Sequence, residues 1–359
     1  MPDGARLRIG VLTFHRCINY GSYWQARCLV EGLRRRGHDA ELLDHAAPRI
    51  DRVEWRCALQ PLLPRRSDRS DIQLYAEKAR VFRSAIDALP LSPPFPLDRP
   101  EAMGAYDLVI VGSDEVWNLS HPWYGGWPVF YGSGIPAPRV ASYAASFGNY
   151  DADAGLDGHW AAQLGNFAAI SVRDFNSCRL VRSALGEEPP LVLDPCLQFP
   201  PASADSTDSE PEAPYVAVYG HSFGERFLEL ARRWARRRGL RLLSIGYRND
   251  WADEQRLTAG PEEFARLIAR SAAVLTNFFH GCVFSLLNAK PFACAATPYR
   301  INKVRDLTRA LSAERHLIEA TTPERRFEQV LDDPLPPVIG RTIESLREHS
   351  DRYLRAVVA

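Results

Sequence analysis

Short apolar runs alternate with helical segments along this chain, twice over, and that alternation constrains the fold more than any other feature. Residues 8–14 (Arg-Ile-Gly-Val-Leu-Thr-Phe) read as a strand, and residues 23–36 have helical spacing with Trp24, Cys28, Leu29 and Leu33 on one face. Gly37 ends that helix, and residues 40–43 read as the next strand. A β-α-β unit of this kind builds a parallel sheet through a right-handed crossover. Further apolar runs at 107–111, 140–145, 169–172 and 191–193 have the character of strands covered on both faces. Residues 200–214 are acidic, proline-rich and aperiodic, which marks a linker. The alternation then restarts with a strand at 215–219, a helix at 225–238 ended by Gly239, a strand at 242–245, and a helix at 261–270 opened by Pro261. A strand, a turn and a short apolar helix follow around His280. The sequence therefore predicts an α/β protein with a Rossmann-like domain over 1–199, a linker over 200–214, a second Rossmann-like domain over 215–340, and a terminal segment at 341–359 that is helical over 343–358.

Length supports two cores, because 359 residues exceed the size at which one core stops growing. Residues 48–100 are rich in arginine and proline, carry one helical pattern at 72–89, and read as an excursion from the first sheet that covers an acceptor site or mediates dimerisation. The 44 basic and 44 acidic side chains cancel, which removes the electrostatic case for nucleic acid or an anionic membrane as the main partner. Lysine occurs only at Lys78, Lys290 and Lys303. The seven cysteines are scattered without C-x-x-C spacing, which argues against a disulfide framework or a structural zinc and points to a reducing cytoplasm. No run approaches the ~18 apolar residues of a membrane span, and the N-terminal apolar run is too short for a signal peptide. The histidines show neither H-x-x-x-H nor H-E-x-x-H spacing, so no metal is expected.

In parallel sheets ligands bind beyond the carboxyl ends of the strands, so the loops there are the candidates. The first loop holds Asn19-Tyr20-Gly21 and lacks G-x-G-x-x-G; it serves either a ligand or only the geometry of the turn. The second is Gly112-Ser-Asp114-Glu-Val-Trp117-Asn118, where Asp114 either accepts a proton from a hydroxyl or caps a helix. Trp117 can stack on a sugar face, and Trp123, Tyr124 and Trp127 form either a sugar-stacking wall or core. The third is Ser171-Val-Arg173-Asp174, in which Arg173 holds a carboxylate or phosphate or makes an ion pair. The fourth is Thr276-Asn277-Phe-Phe-His280-Gly281-Cys282, followed by Lys303. His280 stands where a helix begins, beside exposed N–H groups that suit an anion; the alternative is a histidine satisfied by nearby backbone.

These four elements, in this order, resemble the polysaccharide pyruvyl transferase family. Its pattern includes Asn-Tyr-Gly followed by a glutamine (here Gln25), Gly-Ser-Asp-x-x-Trp-Asn, Ser-x-Arg-acidic, and Thr-Asp-x-x-His-Gly before an apolar helix and a Lys-Pro-Phe strand. This chain departs from it at Asn277 and Phe278, and it has Lys303 where relatives often carry arginine. The resemblance implies two Rossmann-like domains facing across a cleft, as in GT-B-like glycosyltransferases, with the terminal helix packing back on the first domain. The first domain would be the acceptor side and the second the donor side. The resemblance also implies a phosphoenolpyruvate-dependent transferase that builds a cyclic pyruvate ketal on a sugar or lipid-linked glycan, in the synthesis of exopolysaccharide or another cell-surface glycan. No cofactor is implied, phosphoenolpyruvate being a substrate, and homo-oligomerisation is left open.

On this reading His280 is the general acid and Asp114 the base. Arg173, Lys303, Asn277 and the helix N–H groups of Gly281 and Cys282 hold the donor, while Asn19, Tyr20, Gly21 and Trp117 bind substrate. A helix start disfavours an imidazolium and an anionic donor favours it, so donor binding would arm His280. Two other readings compete: a nucleotide-sugar glycosyltransferase of the same architecture, and a non-catalytic sugar- or anion-binding relative.

Overall fold

The computed structural model describes residues 6–201, 213–297 and 301–359. Residues 202–212 of the expected linker, and Pro298, Tyr299 and Arg300 before the Lys303 helix, lie outside them. The chain forms two compact units: Met1–Glu54 with Ile86–Pro200 and Ile343–Ala359, and Trp55–Ala85 with Pro201–Thr342.

Up to the linker, the elements in chain order are β1 (Arg8–Leu12), α1 (Tyr20–Arg35), β2 (Asp39–Leu42), β3 (His45–Ala46), α2 (Pro48–Leu59) and α3 (Arg69–Asp87). They continue with β4 (Phe95–Pro96), β5 (Leu108–Val111), β6 (Val140–Ser142), α4 (Gly158–Gln163), α5 (Phe175–Leu185) and α6 (Pro195–Gln198). The sheet of the first unit is parallel in the order β2-β1-β5-β6. Ile9, Val11, Leu12 and Leu108 to Val111 are buried, as continuous apolar strands between covering layers require. α1 begins three residues before its apolar periodicity because Asn19 caps it, its side-chain oxygen accepting the N–H groups of Gly21 and Ser22.

The runs at 169–172 and 191–193 lie alongside this sheet but make only isolated bridges, not strands. At 169–172 serine hydroxyls join the backbone bonds. Ser171 N–H donates to Ser142 Oγ at 2.9 Å, and Ser142 Oγ donates to Ser171 O at 3.0 Å. The terminal helix closes the unit: Leu193 N–H donates to Ser350 Oγ at 2.9 Å, and the Tyr353 hydroxyl donates to Ser142 O at 2.6 Å.

After the linker come β7 (Tyr215–Tyr219), α7 (Glu225–Arg238), β8 (Arg241–Ile245), β9 (Glu254–Arg256), α8 (Pro261–Arg270), β10 (Ala273–Thr276) and α9 (Phe279–Leu287). They are followed by β11 (Phe292–Ala295), α10 (Ile301–Ala310), β12 (Leu317–Ile318), α11 (Glu324–Asp332) and α12 (Pro337–Val358). The second sheet is parallel in the order β12-β11-β10-β7-β8-β9. From β7 the chain winds outward through β8 and β9, then returns to β10 on the other side of β7. The order therefore reverses at the β7/β10 boundary, where Tyr219 is in register with Thr276. α7 ends at Gly239 with φ +64°, and it buries Phe227, Leu230, Ala231 and Trp234 while its arginines face α11, Arg233 reaching Glu324 at 2.9 Å.

The expected domain over 1–199 needs correction at 55–85, which belongs to the second unit. α3 buries Tyr75, Ala79 and Phe82, and its polar groups find partners in the loop after β8. Arg248 Nε donates to Asp71 Oδ1 at 2.7 Å, Arg248 N–H to the Tyr75 hydroxyl at 3.0 Å, and Lys78 Nζ to Gly246 O at 2.9 Å. Those pairings dictate the assignment.

Candidate functional site

At the carboxyl edge of the first sheet, the loops after β1, β5 and β6 build a lattice of buried polar groups. Thr13 Oγ1 donates to Ser113 O at 2.9 Å, and Gln25 Nε2 donates to Thr13 Oγ1 at 2.9 Å. Gly112 turns the chain with φ +111°, and a Cβ there would overlap Tyr143 O. Asp114 follows with φ +71°, in the left-handed region that costs a non-glycine residue on the order of 1–3 kcal/mol. Three donors meet its carboxylate: Ser22 Oγ at 2.7 Å, Glu115 N–H at 2.9 Å and Arg173 Nη2 at 3.3 Å. Arg173 also donates to Asp194 Oδ2 at 3.0 Å, while Asp194 Oδ1 caps α6 through Cys196 N–H. Burial works against the Arg173 charge, but Asp114 and Asp194 more than restore it and hold the guanidinium above its ordinary value. Of the two readings of Arg173, the ion pair is the one this geometry contains.

Three expectations change here. Trp117 is fully buried and its indole N–H donates to Phe130 O at 2.7 Å, so it is core and offers no face to a sugar. The ring was free to go either way in the sequence; packing against Tyr131, Phe147 and Phe167 decided it. Tyr20 is buried as well, and the side-chain oxygen of Asn19 is engaged as the α1 cap with Gly21. What the motif places together is Asn19, Gly21, Ser22, Asp114 and Arg173, joined by the hydrogen bonds just described.

Sequence reasoning passed over His15, Arg16 and Asp44, which stand just after β1 and β2. His15 Nε2 lies 3.0 Å from Asp44 Oδ1, and Arg16 Nη2 donates to Asp44 Oδ2 at 2.6 Å. Burial would raise the Asp44 carboxyl, yet the bonds from His15 and Arg16 hold it well below the usual range. Neighbouring His45 is pushed down to about 3 by burial and then by His15. Their positions at strand ends were the available signal.

At the carboxyl edge of the second sheet, β10 delivers Thr276 and Asn277, Phe278 caps α9, and His280 is the second residue of that helix. Thr276 Oγ1 donates to Tyr219 O at 2.6 Å and accepts Phe278 N–H at 3.0 Å, which fixes the turn. Gly281 is required because a Cβ would overlap Thr276 Oγ1. His280 is 8 % exposed and packs edge-on to Phe279, with ring centroids 5.1 Å apart. The expected contribution of the Cys282 N–H is corrected: it already donates to Phe278 O at 3.2 Å within the helix. The Cys282 side chain is fully buried, and burial pushes its thiol well up. Asn277 is also fully buried and donates to His221 O at 2.7 Å. Lys303 lies half-buried in the first turn of α10, the helix that packs on α9.

The sequence also left unread the rings beside this turn. His221, Tyr247 and Phe278, all half-buried, stand at the ends of β7, β8 and β10 with centroids 5.3–5.4 Å apart. Lys78 from α3 sits 4.6 Å from the Tyr247 ring centroid, and burial pulls its ammonium down to about 7.

The family profile described as polysaccharide pyruvyl transferase matches residues 19–297, which spans all four loops except Lys303. The chain belongs to the polysaccharide pyruvyl transferase family. No curated protein sequence matches this family member. Among solved structures, it is similar to a UDP-GlcNAc 2-epimerase from Methanocaldococcus jannaschii at 12% identity, with 90% of this chain and 91% of that one covered and a TM-score of 0.47. It is also similar to a glycosyltransferase of Streptomyces sp. SF2575 at 14% identity, covering 97% and 96% with a TM-score of 0.45. Two successive parallel α/β units, as in GT-B-like proteins, are what the sheets of this pyruvyl transferase family member themselves display. No helix among the described residues is long and apolar enough to cross a membrane.

Proposed function

We propose that this chain transfers pyruvate from phosphoenolpyruvate to two hydroxyls of a sugar or lipid-linked glycan as a cyclic ketal, releasing phosphate. The observation that carries this reading is His280, in the first turn of α9 directly after β10, within the span matched to the family. A proton given to the methylene carbon of the donor turns it into a methyl group and leaves the adjacent carbon electron-deficient. One sugar hydroxyl adds to that carbon and loses its proton; phosphate then leaves with the C–O bond electrons as the second hydroxyl bonds to the same carbon, and the proton of that hydroxyl departs with the phosphate. His280 is assigned the first proton.

The donor's anionic groups are assigned to Lys303 and to the first-turn N–H groups of α9 up to Gly281, whose dipoles are fixed before the ligand arrives. Arg173 is left out of that assignment because Asp114 and Asp194 take up its charge. Asp114 is assigned the hydroxyl proton; its acceptance of the Ser22 hydroxyl supports a carboxylate that receives an alcohol O–H. An acceptor panel incubated with phosphoenolpyruvate tests the proposal. Inorganic phosphate and a ketal product are expected, with His280→Gln reducing turnover by about 10²–10⁴-fold. Release of a nucleoside diphosphate from a nucleotide sugar, or full activity in His280→Gln, overturns it.

A further inference from the structure

Charge balance over the whole chain conceals a local imbalance. Residues 55–70 of the second unit, the end of α2 and its connection to α3, hold Arg56, Arg65, Arg66 and Arg69 against one carboxylate, Asp68. Asp68 is spent on the start of α3, where its Oδ1 accepts the Asp71 N–H at 2.9 Å and the Ser70 hydroxyl at 2.6 Å. All four arginines are exposed. Among the described residues, Arg65 is the one of the four with an ion pair, a 3.4 Å contact with exposed Asp250. Between these arginines the chain makes an apolar tip. Leu63 N–H donates to Pro61 O at 2.8 Å, a three-residue turn with Leu62 at its apex. Pro61 and Pro64 fix their own φ, so the turn is set before any partner arrives. Leu62 is 83 % exposed, twice the 41 % of the next large apolar side chains among the described residues. The base of the tip is anchored through α3, by the bonds from Arg248 to Asp71 and Tyr75.

A partner for this tip must cover a protruding leucine and supply negative charge to the arginines around it. A stable protein partner covers about 800 Å² of matching surface, far more than one leucine turn presents. A lipid surface demands no matching shape: an apolar side chain enters the acyl boundary while basic groups stay among the headgroup phosphates. We infer that residues 56–69 dock the protein on the surface of an anionic bilayer, with Leu62 entering the interface and Arg56, Arg65, Arg66 and Arg69 meeting acidic headgroups. With one apolar anchor and four charges, the attachment is peripheral and reversible. It does not depend on the identity of the donor. In one respect it extends the proposed function and rests on it: an enzyme held at a bilayer meets a lipid-linked acceptor rather than a free sugar.

Co-sedimentation of the full chain with vesicles tests this, using phosphatidylcholine alone and an equal mixture of phosphatidylcholine and phosphatidylglycerol. Binding is expected to the mixed vesicles alone, and to be lost at high salt as the surface potential is screened. Arg66→Gln is expected to weaken it about fivefold, as for one cation removed from an anionic surface. Leu62→Asp removes the apolar anchor and adds a repelled charge, for a loss of about 100-fold, whereas Leu62→Phe is expected to retain binding. Leu62 and Arg66 are both exposed, so the melting temperature is expected to stay unchanged in these variants. Absence of binding to the mixed vesicles, equal binding to the neutral ones, or Leu62→Asp within twofold of wild type overturns the inference. Self-association that is lost in Leu62→Asp, in a chain that ignores vesicles, also overturns it and assigns the tip to a second copy. Phosphate release from phosphoenolpyruvate is measured separately, so the proposed reaction stands or falls on its own.

Discussion

The two carboxyl edges solve the problem of burying polar groups in different ways. In the first unit the solution is ionic: Asp114 and Asp194 share Arg173, and Asp44 is shared by His15 and Arg16. In the second it rests on neutral amides and rings, with Asn249 and Asn277 on backbone carbonyls and His221, Tyr247 and Phe278 in mutual contact. A charge already neutralised by its neighbours is a poor receptor for another ion, because the newcomer must compete with a partner in place. The contrast teaches that an arginine in a family motif can be scaffold, held by Asp114 and Asp194.

The largest effect that can break this contrast is at Arg173. Replacement by alanine leaves two buried carboxylates without their counter-ion, and a loss of about 3–5 kcal/mol is expected from urea unfolding. A variant that keeps its stability but no longer binds the donor would instead make Arg173 a receptor. Next is Lys78, whose ordinary value is 10.5 and which burial lowers to about 7. Between those values the unfolded chain binds the extra proton, so stability rises with pH above 7 and that gain is lost as pH falls back to 7. A difference on the order of 3 kcal/mol is expected once the ring contacts that favour the ammonium are set against burial. Denaturation curves of the wild type and Lys78→Met across pH 7 to 10 measure it, the methionine variant lacking this slope.

A smaller effect sharpens the reading of the first unit. Trp117→Phe leaves Phe130 O without its donor and opens a small void, for about 2 kcal/mol. The melting temperature is expected to fall while the KM for the acceptor stays constant; a change in KM alone would return Trp117 to the sugar. The smallest is Asn19→Ala, which removes the α1 cap for about 1 kcal/mol and is expected to leave donor affinity untouched.

Much of the fold was legible because punctuation residues sit where the chain turns. Gly239 and Pro261 bound α7 and α8 at the residues read from the sequence. The run at 169–172 misled because apolar character does not reveal that Ser142 and Ser171 will interpose their hydroxyls, and the run at 191–193 makes only an isolated bridge to Val172. α2 went unread, since its arginines and Pro48 mask a helix that buries only Ile50 fully. The destination of 55–85 was illegible for another reason: the partners of Asp71 and Lys78 lie more than a hundred residues away, at Arg248 and Gly246. At the candidate site, the strand-turn-helix around His280 was plain, whereas His221 sits in a loop held by two distant asparagines.

The bonds from Ser350 and Tyr353 to Leu193 and Ser142 carry a temporal consequence. The sheet made in the first half of this sequence is finished by a helix whose Ser350 is made 157 residues after its partner Leu193. At ordinary elongation speeds its flank stays bare for on the order of ten seconds, long enough for a chaperone to engage it. The later-made unit has its own inserted helix in hand from the start, so maturation is expected to run from the second half of the chain back to the first.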